Sequence, residues 1–300
     1  MKIRSFSQVL FFCSFMFSLN CKSQEASIIA EGAELNLVSE GFEFTEGPAA
    51  DEMGNVYFTD QPNNHILKWS VGNKKVSVFM KDAGRANGLY IDRKGNIYAC
   101  ADEKSELWKI DKDKNVTVLV DGFRGNKLNG PNDLWIDPKG GIYITDPFYE
   151  RPYRNYDGQP MKEQRVYYLS PDRKKLTVAT ENLVKPNGII GTPDGKTLYV
   201  ADIEADKTWA FEIAEDGSLS NKTLFTTMGS DGMTIDNHGN IYLTGKGLTV
   251  FNPKGKQILH IPVDKDWTAN VTFGGKNNQT LFITAMDSVF SIEMKVKGVR

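Results

Sequence analysis

Glu46, Asn87, Asn132, Asn187, Asp231 and Asn270 each precede a turn residue by eight positions, the turn residues being Gly54, Gly95, Gly140, Gly195, Gly239 and Asn278. All six carry a side-chain oxygen. Carboxylate and amide oxygens are the donors a hard divalent cation takes, and two acids among four amides suit Ca²⁺ or Mg²⁺. Glu46 and Asp231 depart from the asparagine that is usual at this position, and two carboxylates converging on one point repel unless a cation lies between them. Asn and Asp at strand entrances also cap turns through nearby backbone groups. For Asn87 and Asn270 that local role stands level with a role in binding.

The offset belongs to a repeated unit. The chain reads "DEMGNVYFTD" from Asp51, "DRKGNIYACAD" from Asp92, "DPKGGIYITD" from Asp137, "TPDGKTLYVAD" from Thr192, "DNHGNIYLTG" from Asp236 and a degraded "GKNNQTLFIT" from Gly275. Each copy is an apolar stretch, a turn rich in Gly, Asp, Asn and Lys, and a β-branched or aromatic stretch, the pattern of a tight hairpin. Between copies lie further short strands such as "HILKW", "KVSVF", "ELWKI" and "VTVLV". About four strands per unit, with no convincing helix, predict an all-β six-bladed β-propeller. The segment Ala33 to Phe42 precedes the first hairpin as "KKVSVFMKDAG" precedes the second, so it is expected to close the last blade as its outer strand and remove an exposed edge. An open solenoid has no use for such a strand. In a propeller, rotation about the central channel brings equivalent positions together, so the six oxygen-bearing residues are expected around one mouth.

Other chemistries find little support. There is no G-x-S-x-G elbow, and Cys100 stands in the apolar strand "NIYACAD", where a buried inert thiol is expected. His65, His238 and His260 lack the spacing of a zinc site. With a net charge of -2 and scattered basic residues, nucleic acid is excluded as a partner. Asp60, Asp102, Asp146 and Asp202 close the hairpins whichever mouth residue their blade carries, and are expected to be scaffold. Asn129 falls outside the eight-residue register and reads as an ordinary loop residue.

At the N-terminus, Lys2 and Arg4 precede an apolar run from Val9 to Leu19, the order of an export signal and too short a run to span a bilayer comfortably. "SLNC" resembles a relaxed bacterial lipobox, which would make Cys21 a lipidated N-terminus and tether the protein to a membrane through acyl chains alone. Residues 1–20 then form the signal, 21–32 a linker and 33–300 the propeller, in a periplasmic or membrane-anchored lipoprotein of a bacterium. Cys13 and Cys21 would be consumed, leaving Cys100 without a disulfide partner.

The motifs "FTEGPAAD", "NGPNDLWIDPKG", "KPNGIIGTPDGKTLYVAD" and "SDGMTIDNHGNIY" together resemble the senescence-marker-protein, gluconolactonase and luciferin-regenerating-enzyme family, especially its bacterial gluconolactonases, over roughly Glu40 to Glu293. That resemblance implies a metal held by Glu46 in "EGP", Asn132 in "PNDL", Asn187 in "PNGI" and Asp231 in "SDGM", with Asn132 also a substrate contact. It implies hydrolysis of a sugar lactone by a Ca²⁺-dependent enzyme, with Mg²⁺, Mn²⁺ or Zn²⁺ as alternatives. Asp231 is the expected general base; activation of water by the cation is the competing account. Further substrate contacts are expected from Asn87, Asn270, Arg85, and from Tyr149, Glu150 and Arg151 at the start of the largest insertion between blades. The ligand set also resembles that of calcium-dependent fluorophosphatases, so phosphotriester hydrolysis is an alternative, and a non-catalytic cell-surface propeller is another.

Overall fold

The computed structural model describes residues 27–154 and 158–299. The hairpin turns explain the repeat. Asp137 Oδ1 accepts the N–H groups of Lys139 and Gly141 at 2.8 and 2.9 Å, and Asp51, Asp92 and Asp236 repeat the bond to the residues two and four positions on. The turn then needs a left-handed residue, which is Gly140 (φ 91°) in this copy and Asn278 (φ 55°) in the degraded one. Asparagine enters that region more readily than other residues with a Cβ, so the sixth hairpin keeps its register without glycine.

The strands assemble into six four-stranded antiparallel sheets, five of them consecutive in sequence. The innermost strands are Thr45–Ala50, Ala86–Ile91, Leu134–Ile136, Pro186–Gly191, Met233–Ile235 and Asn270–Gly274, and each touches the next around a closed circuit. These are blades one to six of a propeller, with a single short 3₁₀ turn, Asp102–Lys104, as the only helical element among the described residues.

The sixth sheet is composite. Asn36–Glu40 pairs antiparallel with Ser288–Glu293, so the N-terminal strand lies outside the last three strands of the chain and closes the ring. It realises the central part of the expected Ala33 to Phe42. Upstream of it, Ile28 and Ile29 pack against the core of blade six, and Ile28 O accepts the Lys295 N–H at 2.8 Å.

Apolar side chains fill the wedges between adjacent blades. Val56, Phe58, Leu67 and Trp69 of blade one meet Phe282 and Val289 of blade six, with the Trp69 and Phe282 rings 4.6 Å apart. Second strands such as Ile142–Asp146 are buried throughout because a neighbouring sheet covers each face, whereas outer strands such as Val116–Val120 are mostly exposed. Such packing holds the inner strands at fixed separation, which a channel site requires.

Candidate active site at the channel mouth

The six residues at the eight-residue offset all lie at the start of their blade's innermost strand. Glu46, Asn87, Asn187 and Asn270 are within it; Asn132 and Asp231 fall two residues before it. Five are buried, and Asp231 keeps partial exposure. Their hydrogen bonds link blades: Asn187 Nδ2 donates to Asp231 Oδ1 at 2.8 Å, and Asn270 Nδ2 to Glu46 Oε2 at 3.2 Å.

Close approach at the axis depends on the next residue in each inner strand. Four of the six are succeeded by glycine: Gly47, Gly88, Gly188 and Gly232. A Cβ on Gly88 would lie 2.5 Å from Asp133 Oδ1 and 2.6 Å from Asn132 O, so the neighbouring blade occupies the space a side chain would need. The second strands add a set of buried threonines that the sequence reading missed. Thr145, Thr244 and Thr284 accept the N–H groups of Asp133, Gly232 and Asn270 at 3.0, 2.8 and 3.0 Å, and Thr59 donates to Asn87 O at 3.1 Å. The visible signal was the Thr in "FTD", "ITD" and "LTG", five residues after the turn glycine, and in "FIT", six after Asn278.

The electrostatics of the ring are those of crowded buried acids. Burial, then the charges of Asp231 and Asp133, push the Glu46 carboxyl well above the usual carboxylate range, while Gly47 N–H and Asn270 oppose the shift. Burial also raises Asp231, to about 6, against the stabilising bonds from Trp267 and Asn187 and the positive charge of Arg151. Asp133, which sequence reasoning passed over although it stands where four blades have glycine, is raised by burial to about 7. Beyond the ring the channel holds a cavity of about 410 Å³ lined by Gly47, Asp133, Trp135, Asn270 and Phe273, among others.

The amides divide into two kinds. Asn187 spends Nδ2 on Asp231 and on the Tyr149 hydroxyl at 2.9 Å, leaving its buried Oδ1 without a donor; Asn87 Oδ1 is likewise buried and without one. Asn270 Oδ1 instead accepts Val271 N–H at 2.8 Å, which is the local capping role. Unsatisfied buried acceptors beside two acids are what a bound cation would satisfy. No three His, Cys, Asp or Glu side chains gather as a metal cluster among the described residues; the oxygens at the ring include those of amides.

Of the other expected contacts, Tyr149 reaches the ring through Asn187, and Arg151 lies over its ring at 5.2 Å. Arg85 stands back from the ring, over Tyr153 at 4.7 Å. Glu150 is exposed and makes no hydrogen bond or ion pair with the described residues. Trp267, unforeseen, donates its indole N–H to Asp231 Oδ2 at 2.6 Å. Asn129 departs from its reading as an ordinary loop residue. It is fully buried, accepts Met161 N–H at 2.8 Å and donates to the carbonyls of Asp146 and Glu163. Cys100 is buried and its thiol pushed well up by desolvation, as an inert residue should be. Cys21 and the signal segment lie outside the described residues.

The family model described as the SMP-30/gluconolactonase/LRE-like region matches residues 44–287. The chain belongs to this family. Among its relatives, the gluconolactonase of Zymomonas mobilis is 28% identical over 304 residues, covering 91% of this chain and 84% of that protein. A solved gluconolactonase from Xanthomonas campestris superposes with a TM-score of 0.83 at 28% identity, covering 89% of this chain and 91% of that one. The diisopropyl-fluorophosphatase of Loligo vulgaris is 26% identical over 294 residues, covering 87% of this chain and 92% of that protein. The matched family region runs from Phe44 in blade one to Asp287 in blade six and so contains every ring residue.

Proposed function

We propose that this protein hydrolyses a sugar lactone to the corresponding aldonic acid at the ring, with a divalent cation held by Glu46, Asn132, Asn187 and Asp231. The observation that carries the reading is the pairing of two crowded acids with the donorless Asn187 Oδ1 in one buried ring. An oxygen-only set of acids and amides fits Ca²⁺ best, with Mg²⁺, Mn²⁺ and Zn²⁺ as alternatives. Relatives named gluconolactonase and lactonase support lactones as the substrate class.

When bound, the cation supplies Lewis acidity toward the lactone carbonyl. The chain's own residues do the rest. Asn132 and Asn87 line the mouth for the sugar hydroxyls, with Tyr149 and Arg151 beside them, while Asn270 holds Glu46. Trp267 and Asn187 hold both oxygens of Asp231, fixing its plane. Asp231, held in this orientation, accepts the proton of the attacking water. The lactone's acyl C–O bond breaks and the leaving ring oxygen takes the proton that Asp231 accepted, giving the hydroxy acid. In the competing account Asp231 would serve as a ligand alone, and the acidity of the bound cation would take the place of a general base.

The test is protein stripped of metal and resupplied with each of the four cations, assayed for acid release from glucono-1,5-lactone. No turnover with any cation would refute the reading. The likeness to diisopropyl-fluorophosphatase favours a second substrate class, organophosphate esters, which the same preparations can be given. We also propose export through the N-terminal signal and lipidation at Cys21, for which mass spectrometry of the membrane fraction of a bacterial host is the check.

A further inference from the structure

The aspartates that close the inner hairpins do not all do the same work. Asp60 receives the N–H groups of Glu43 and Phe44, Asp146 those of Asn129 and Gly130, and Asp202 those of Val184 and Lys185, all between 2.8 and 3.2 Å. Each fastens the backbone that leads into its own blade, which is the scaffold role. Asp102 in blade two is as deeply buried, at 3% exposure, but its carboxylate accepts from side chains: the Arg154 guanidinium, the Tyr153 hydroxyl and, at 3.4 Å, the Gln61 amide. Arg151 Nε lies 3.3 Å away.

Arg151, Tyr153 and Arg154 all belong to the segment that leaves blade three after Asp146, so one carboxylate of blade two fastens the insertion of the next blade. The position opposite is built for it. A Cβ on Gly130 would lie 2.0 Å from Arg154 Nη2 and 2.5 Å from Asp102 Oδ1. The same segment reaches the ring at its other end, where the Arg151 guanidinium covers the Tyr149 ring and the Tyr149 hydroxyl meets Asn187 Nδ2. An unbroken run of contacts thus joins Asp102 to Asn187 and Asp231 without Asp102 touching the ring.

We propose that Asp102 is a positioning residue for substrate selection. By seating residues 149–154 it sets a phenol hydroxyl and a guanidinium as the wall of the mouth, and this wall selects polyhydroxylated lactones over lactones of the same ring size without hydroxyls. Naming lactones rests on the function proposed above; the clamp itself does not.

The experiment compares wild type with Asp102→Asn, which keeps the shape and removes the charge, and with Tyr153→Phe, which removes one donor. For Asp102→Asn, kcat/KM for glucono-1,5-lactone is expected to fall about tenfold to a hundredfold, mostly through KM. Turnover of δ-valerolactone and Ca²⁺ affinity measured calorimetrically should stay within about twofold. Trypsin should cut after Arg154 in the variant and spare that bond in wild type. Tyr153→Phe should move the same readouts less far. Equal losses on both lactones, or unchanged selectivity, would overturn the proposal, as would an uncut Arg154 bond in Asp102→Asn. If wild type hydrolyses neither lactone, the lactonase reading fails, and the tryptic pattern still decides whether Asp102 holds the segment.

Discussion

The indole N–H of Trp267 points at the carboxylate of Asp231 from outside the ring, 2.6 Å from Oδ2, while Asn187 holds Oδ1 from inside it. A carboxylate gripped at both oxygens cannot rotate to suit a misplaced cation or water. Outer residues that orient a metal ligand commonly contribute 10–100-fold to affinity or activity. Trp267→Phe keeps the ring and loses the donor, so Ca²⁺ affinity and kcat should each fall by about 10–100-fold with the melting temperature little changed. Calorimetric titration beside a thermal melt is the check, and unaltered affinity would speak against this role.

Asp231 and Asn270 occupy the same register and should not behave alike. Asn270 Oδ1 is already taken by Val271 N–H, and its amide serves Glu46. Asp231→Ala is expected to lower kcat/KM by about 10²–10⁴-fold, and Asn270→Ala by about tenfold at most, acting through Glu46. Equal effects would contradict the four-ligand assignment.

The ring also imposes a pH dependence on the metal-free protein. Asp231 has a folded pKa of about 6, above the value near 4 of an unfolded chain. A raised acid contributes stability in full below the unfolded value and loses it as pH rises through the folded one. Metal-free protein should therefore lose stability from this group between about pH 4 and 6. Asp231→Asn removes the loss, and should raise the melting temperature of metal-free protein at neutral pH by roughly 2–6 °C. Scanning calorimetry at two pH values would show it, and a lowered melting temperature at neutral pH would count against crowded acids.

The eight-residue offset was legible because it is enforced twice, by a tight turn at one end of the inner strand, an Asx turn in four of the six copies, and by convergence on the axis at the other. Both ends repeat, so a single chain displays the rule six times. Trp267 was not legible, since it sits singly in the connection between blades five and six and nothing periodic marks it. Asp133 was hidden by its neighbour: "PND" draws the eye to Asn132. Asp102 carries the same letter as Asp60, Asp146 and Asp202, and only the partners that folding brings to it reveal a different task. Asn129 looked free of the register because its work is to anchor the insertion, which has no counterpart in other blades.

Gly88→Ala tests the close approach at the axis. Its backbone is compatible with alanine, but the new Cβ would meet Asp133 Oδ1 and Asn132 O. Overpacking of this kind costs about 1–3 kcal/mol. Denaturant unfolding would measure it; a change within about 0.5 kcal/mol, the range of an ordinary surface substitution, would mean the channel yields easily.

The pairing of Asn36–Glu40 with Ser288–Glu293 has a consequence in time. The first strand of the propeller is made before any other and its partner only after the five intervening blades, so until then the fold is an open arc with a waiting edge. Ring closure joins two segments about 250 residues apart in sequence. Its entropic cost grows only with the logarithm of the intervening length, but such a long-range contact makes folding slow. The step that locks the structure therefore waits for the last blade, and every earlier blade must hold its shape without it.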